Sequence, residues 1–455
     1  MSSSSAATTS TSALVSKGEP GTLLGVRVHS VARVLLLATL FTAPLTFGAV
    51  LPWAWASLAV LATLLLFLWA IGCVQKGTAR ILWSPLYLPA GLFLLLGVIQ
   101  YFGNFTVDRV ATREALLKLV TDLILFFLTG QLWANSSEKG LVVFGFAVTV
   151  YTFLLSASAI LQFFSGSAFN YLNYWATHSL NGAFGPYVNR DHYAGLMVLL
   201  IPLVAAFALS RRAEQSKRVL YSLAIILPIG SLLLTGSRGG FVSLLAEILI
   251  LGAILVRSAP ASGRRELMSL GALAVTAAAI LFFWIDPGGV SKQLGNAINL
   301  SITQEGSYTL RASVALDSIH VVRHHPWIGH GLGTFETTYP GSQTIPSDLI
   351  WNHAHDDIVE ALVESGLVGG FLIAVALALF FRFAFRDLAH KLHHEVGWIR
   401  FGAAVGCCGL LVHSLCDFNL RNPATAAWFA VCVGISVGQV GSSRRRGTAV
   451  SDRVN

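Results

Sequence analysis

Three stretches carry groups suited to proton transfer or anion binding, each at the edge of a long apolar run. The richest is Trp351-Asn352-His353-Ala354-His355-Asp356-Asp357. A neutral imidazole at a boundary between water and membrane suits a general base. His353 and His355 also stand two apart, a spacing open to a metal, but no Cys, third His or dense carboxylate cluster lies nearby in sequence. The base reading is the stronger. Asp356 and Asp357 fall in the first turn of the apolar run that follows, where the helix dipole favours acids, so one of them is expected simply to cap the helix. Glu360 and Glu364, four apart, share a helical face and are expected to look into a cavity, not lipid.

The second stretch is Leu232–Gly240, LLLTGSRGG, with Arg238 at the end of two apolar runs. Arg238 is either an interfacial anchor or an anion ligand. Glycines on both sides let backbone approach a ligand, and a planar guanidinium binds phosphate bidentately. Arg311, farther along, either completes an anion clamp with Arg238 or is a solvated surface residue. In the third stretch, Asn189-Arg190-Asp191-His192, the side chains of Arg190 and His192 line the same site or cap a helix.

The elements that must hold these groups are membrane helices. Hydrophobic residues make up 55% of the 455 and charged ones 11%, where a soluble domain carries about 25% charged. Such a chain cannot cover itself with polar surface, which excludes a soluble enzyme, a coiled coil and a disordered chain. The net charge of +8 does not indicate nucleic-acid binding, because most basic residues sit in short loops between apolar runs. The five cysteines lie in or at the end of apolar runs and form no disulfide or zinc pattern.

A helix needs about 20 apolar residues to span a bilayer. The expected spans are 34–50, 54–73, 84–101, 114–134, 140–164, 190–209, 219–236, 239–256, 267–286, 356–381, 400–417 and 423–441. This is an all-α, polytopic membrane protein of about 12 transmembrane helices. With both termini cytoplasmic, 21 of the 30 Lys and Arg fall on the inner side, as the positive-inside rule requires. The outer nine are Arg109, Arg113, Lys118, Arg190, Arg238, Lys292, Arg311, Arg323 and Arg421. Residues 1–33 read as a disordered cytoplasmic tail, 34–286 as spans 1–9, 287–355 as a long periplasmic loop, 356–441 as spans 10–12 and 442–455 as a basic cytoplasmic tail. Within the loop, Ala312–His324 reads as a helix with Val314, Ile319, Val321 and Val322 among its apolar positions, broken afterwards by Pro326, Gly329, Gly331 and Gly333.

Taken in order, Ser237-Arg238-Gly239-Gly240, Arg311 with the segment Pro326-Trp327-Ile328-Gly329-His330-Gly331-Leu332-Gly333-Thr334-Phe335, and His355-Asp356-Asp357-Ile358-Val359 running into Glu364-Ser365-Gly366-Leu367-Val368-Gly369 resemble the O-antigen ligase / O-antigen polymerase (Wzy_C-type) membrane family. The resemblance implies a GT-C-like glycosyltransferase. Its donor is a glycan on undecaprenyl pyrophosphate, and its acceptor the sugar of lipid A–core, another lipid-linked repeat, or a protein hydroxyl. It implies catalysis without a metal or other cofactor, with His355 as the base and Arg238 and Arg311 holding the diphosphate. Possible site-lining residues are Arg190, His192, His353, Asp356 and Glu364. Asp356 departs from the Asn that many members carry after this His. The chemistry agrees: fixed guanidinium groups stabilise a departing anion in a shielded site, and attack opposite the diphosphate inverts the anomeric centre. The rival readings are a polymerase or protein O-oligosaccharyltransferase of the same family, and a 12-span transporter. A transporter predicts two six-span halves around a central inner loop, whereas the long loop here is outer and lies between spans nine and ten.

Overall fold

The computed structural model describes residues 20–79, 81–133, 138–165, 183–210, 218–258, 308–344, 351–388 and 392–438. The described residues form helices and no strand; one isolated bridge joins Phe184 and Tyr187. The helices are α1 Pro20–Leu45, α2 Pro52–Gln75, α3 Tyr87–Phe102, α4 Arg109–Trp133, α5 Glu138–Ser165, α6 Arg190–Ser210 and α7 Arg218–Leu234. They continue with α8 Arg238–Ser258, α9 Tyr308–His324, the single turn α10 Phe335–Thr338, α11 Asp357–Ala384, α12 Glu395–His413 and α13 Pro423–Val437. Eight of the described helices are long and apolar enough to cross a membrane, and Tyr87–Phe102, Leu220–Leu234 and Pro423–Val437 are shorter apolar helices. The expected ninth span, 267–286, lies outside the described residues, as does all of 287–307.

Residues 20–33, read from the sequence as the end of a tail, belong to the first helix; residues 1–19 lie outside the described residues. Its polar early residues are held by α2: the His29 ring meets the Trp69 carbonyl at 3.2 Å and Lys76 Nζ at 2.7 Å.

The centre of the bundle is α6 against α12. Helix α6 is buried along its whole length from His192 to Phe207. It lies close to α12 because Gly402 and Gly406 present bare backbone to Pro202, Leu203 and Leu199, the small-residue device by which membrane helices pack. All five cysteines are free thiols.

Helix α11 is interrupted. Gly366 has φ 61 and ψ −164, breaking the helix about two and a half turns from its start. The segment 326–331 enters the break. His330 N donates to Val363 O and Gly331 N to Glu364 O, both at 3.0 Å. Leu367 N donates to Pro326 O at 2.7 Å and Val368 N to Trp327 O at 3.0 Å. The Gln100 amide of α3 donates to Ile328 O at 2.6 Å and Glu364 O at 2.8 Å, while its oxygen accepts from Leu332 N. Gly329, Gly331 and Gly333 all have positive φ, and a Cβ on Gly329 would run into the Glu364 carbonyl. The glycines of 326–333 thus serve a backbone-on-backbone splint. Around it Val314, Val321, Phe335, Tyr339, Ala354 and Val363 form a second small core.

Candidate active site

The loop before α11 delivers His355, and the turn between α12 and α13 delivers its partner. His355 takes φ 54, a left-handed conformation that costs a non-glycine residue on the order of 1 kcal/mol or more. Glu360, one turn into α11, holds this loop. Its Oε2 accepts from Ala354 N at 3.0 Å and its Oε1 meets His353 Nδ1 at 2.9 Å. Asp356 is the N-cap, accepting from Ile358 N at 2.9 Å and Val359 N at 3.0 Å. Asp357 is buried; its amide donates to Ser414 O and its carboxylate accepts from Leu420 N at 3.2 Å. The two acids therefore divide as expected: one caps, the other ties α11 to the α12–α13 turn.

That turn, Asp417–Arg421, is where most of the site converges. Asp417 Oδ1 lies 3.5 Å from His355 Nδ1, a distance for an ion pair and long for a hydrogen bond. Burial works to raise the Asp417 carboxyl, but the His355 contact and the charges of His192, His413 and His355 outweigh it and hold the group down at about 2. Phe418 is ringed by three imidazoles. His353 stacks on it with centroids 4.1 Å apart, and His192 and His355 meet it edgewise at 4.8 and 5.0 Å. Asn419 reaches the His413 ring, whose Nε2 lies 3.5 Å from Ser237 Oγ. Arg421 bridges Glu360 at 3.1 Å and Glu364 at 2.8 Å. Burial alone would lower the Arg421 guanidinium, but Glu364, Glu360 and Asp357 outweigh it and raise it above the ordinary arginine value.

The expected cavity-facing carboxylates are thus corrected. Glu360 and Glu364 are buried and closed on Arg421. Removing one member of such a group is expensive because it strands a buried charge, so their first task is to fix α11 and the α12–α13 turn in register.

Arg238 heads α8. Its neighbours carry it to the same end of the bundle. A Cβ on Gly239 would lie 2.6 Å from the His413 ring, and one on Gly236 would lie 3.8 Å from Arg190 Nη1. Arg190, beginning α6, and Arg238, beginning α8, therefore flank one turn, with His192 a buried step below. Both helices present an N-terminus and a guanidinium at this end, an arrangement that favours anions. Arg311 falls in the first turn of α9, and the position of its side chain lies outside the described residues. Among the described residues no group of three or more His, Cys, Asp or Glu is arranged to hold a metal.

Two guanidinium-bearing helix starts and a carboxylate-backed imidazole share one end of a helical bundle. Residues 223–374 match the O-antigen ligase family model. The resemblance read from the three motifs is thereby borne out, in a family of glycosyltransferase-like membrane enzymes. No curated protein matches the chain significantly. The O-antigen ligase match takes in Arg238, Arg311, His353, His355 and Glu364. It leaves out His192, His413, Asp417 and Arg421, which the fold brings to the same place. Sequence reasoning counted Arg421 only as an outer basic residue and passed over Asp417 and His413. A signal existed: Asp417-Phe418-Asn419-Leu420-Arg421-Asn422 is a dense polar run between two apolar ones, and polar groups so close to a membrane interior default to function.

Proposed function

We propose that this chain is a metal-independent, inverting, O antigen ligase-like glycosyltransferase of the bacterial inner membrane. It moves a glycan from undecaprenyl pyrophosphate to a sugar hydroxyl of lipid A–core at the periplasmic face, with both termini cytoplasmic. The observation that carries the reading is the pairing of His355, within the matched region, with a buried, ionised Asp417 that the fold brings to it from outside that region.

His355 accepts the proton of the acceptor hydroxyl through Nε2, while Asp417, 3.5 Å from Nδ1, stabilises the imidazolium as it forms. The hydroxyl oxygen attacks the anomeric carbon, and the bond from that carbon to the diphosphate oxygen breaks. The leaving diphosphate takes the electron pair and is met by Arg238, Arg190 and Arg311. Because charge grows on both the base and the leaving group, fixed opposite charges at each end act mainly on the transition state.

The test is transfer by purified enzyme from a lipid-linked donor, together with the surface glycan of a deletion strain. His355→Ala should lower transfer by about 10²–10⁴-fold at unchanged protein level, with lipid-linked donor accumulating. Substantial transfer by a well-expressed variant would sink the base role. In the deletion strain, polymer missing from lipid A–core with lipid-linked chains intact supports a ligase. Single repeat units in place of chains would instead mean a polymerase.

A further inference from the structure

Helix α9 buries an acid and exposes two large aliphatics. The face it packs against the start of α11 carries Val314, Asp317, Ser318 and Val321, spaced 3, 4 and 7 apart, all buried. Asp317 is only 4% exposed and accepts from Tyr339 Oη at 3.1 Å and from Thr344 N and Oγ1 at 3.0 and 2.8 Å. The opposite face presents Leu316 at 63% and Ile319 at 48% exposure. Exposed His320 and Arg323 share the outward side and Val314 and Val321 the inward one, so the departures from a water-facing helix are Asp317, Leu316 and Ile319. Ile319, one of the apolar positions read from the sequence, points away from the core.

The outward face continues in one direction. Past the end of α9 comes Trp327, 68% exposed, whose carbonyl accepts from Val368 in the α11 break. There α11 begins its own exposed apolar row of Leu367, Val368 and Phe371, in a helix long and apolar enough to span a membrane. Trp327 thus adjoins the exposed apolar row of a helix long and apolar enough to span a membrane, and Leu316 and Ile319 are exposed on the helix that precedes it. Arg323, exposed together with His324 and His325, ends α9 with a basic group of the kind found at a membrane's polar rim.

We propose that α9 is an interfacial helix whose Leu316–Ile319–Trp327 face is covered by the phospholipid leaflet on the side of the His355 site. The helix that carries Arg311 then floats on the leaflet through which any lipid substrate reaches the site. Its cationic end faces phosphate headgroups. Exposed apolar residues scattered singly need no such account; here two aliphatics and Trp327 are exposed on one helix and the segment that binds the exposed apolar row of α11.

The test uses full-length protein in nanodiscs of phosphatidylglycerol and phosphatidylethanolamine. Nitroxide labels are placed at Leu316→Cys and Ile319→Cys, with Glu336→Cys as the water reference, in a Cys416→Ser background. Collisions with oxygen should exceed those with a water-soluble nickel chelate at 316 and 319, and the order should reverse at 336. Nickel-dominated collisions at 316 and 319 overturn the proposal. Labels reached by neither reagent also overturn it, because protein then covers the face.

Discussion

Replacing Asp417 by Asn isolates what the carboxylate does for His355. The substitution keeps the shape of the side chain and removes its charge. Held at about 2 against an ordinary 3.8, the ionised carboxyl gains on the order of 2 kcal/mol from its folded surroundings. In the transition state a full positive charge forms on an imidazole 3.5 Å away; at an effective dielectric near 20 that contact is worth about 5 kcal/mol. Asp417→Asn should therefore slow transfer by between ~30-fold and ~5,000-fold, with KM for the donor nearly unchanged. Single-turnover transfer from a lipid-linked donor reads this directly. The sign of the pH effect follows from the lowered value. The stabilisation is complete above about pH 3.8 and is lost as pH falls through about 2, so no acid limb between about pH 5 and 8 belongs to this carboxyl. In a His355→Ala background the Asn substitution should add little, since the two act as a unit. Transfer within threefold of the parent enzyme, at equal protein level, would refute the pairing as a catalytic one.

Arg238→Lys should reduce transfer by at least about tenfold, because a point charge replaces a planar fork on the diphosphate; near-normal turnover would make Arg238 an interfacial anchor instead. Arg421→Met strands Glu360 and Glu364, which it holds at 3.1 and 2.8 Å. It should cost about 3–5 kcal/mol, seen as a lowered melting temperature in detergent, and adding Glu364→Gln should recover part of the loss. Gly366→Ala should destabilise by at least about 2 kcal/mol. The residue sits at φ 61 and its Cβ would lie 2.6 Å from Gly329 N. Gly91→Ala, where a Cβ meets nothing within 4 Å, is the matched control.

The apolar runs carried most of the fold. Gln75 and Phe102 end helices within two residues of where the expected spans end, because burial in lipid leaves a helix little choice of backbone partner. Pro20 escaped this reading, since residues 20–33 are too polar to register as a span and become helical only by packing on α2. His355, Arg238 and Glu364 were legible as isolated motifs near an outer boundary. Asp417 and His413 were not, because their meaning rests on contacts across more than 50 residues of chain. Asp356 and Asp357 show the limit of local reasoning. Capping by one of them was predictable, but which acid turned inward depended on Ser414 and Leu420.

The break in α11 also bears on how the protein enters the membrane. A span interrupted at Gly366 offers two dry carbonyls and two dry amides to the bilayer, each of which would cost several kcal/mol unpaired. All four are taken by residues 326–331, a peptide the ribosome completes before it reaches α11. The splint is thus already made when the broken span emerges, so biogenesis in chain order never requires the unpaired break to meet lipid alone. A circular permutation placing 326–331 after α11 would keep every contact of the finished fold and reverse that order.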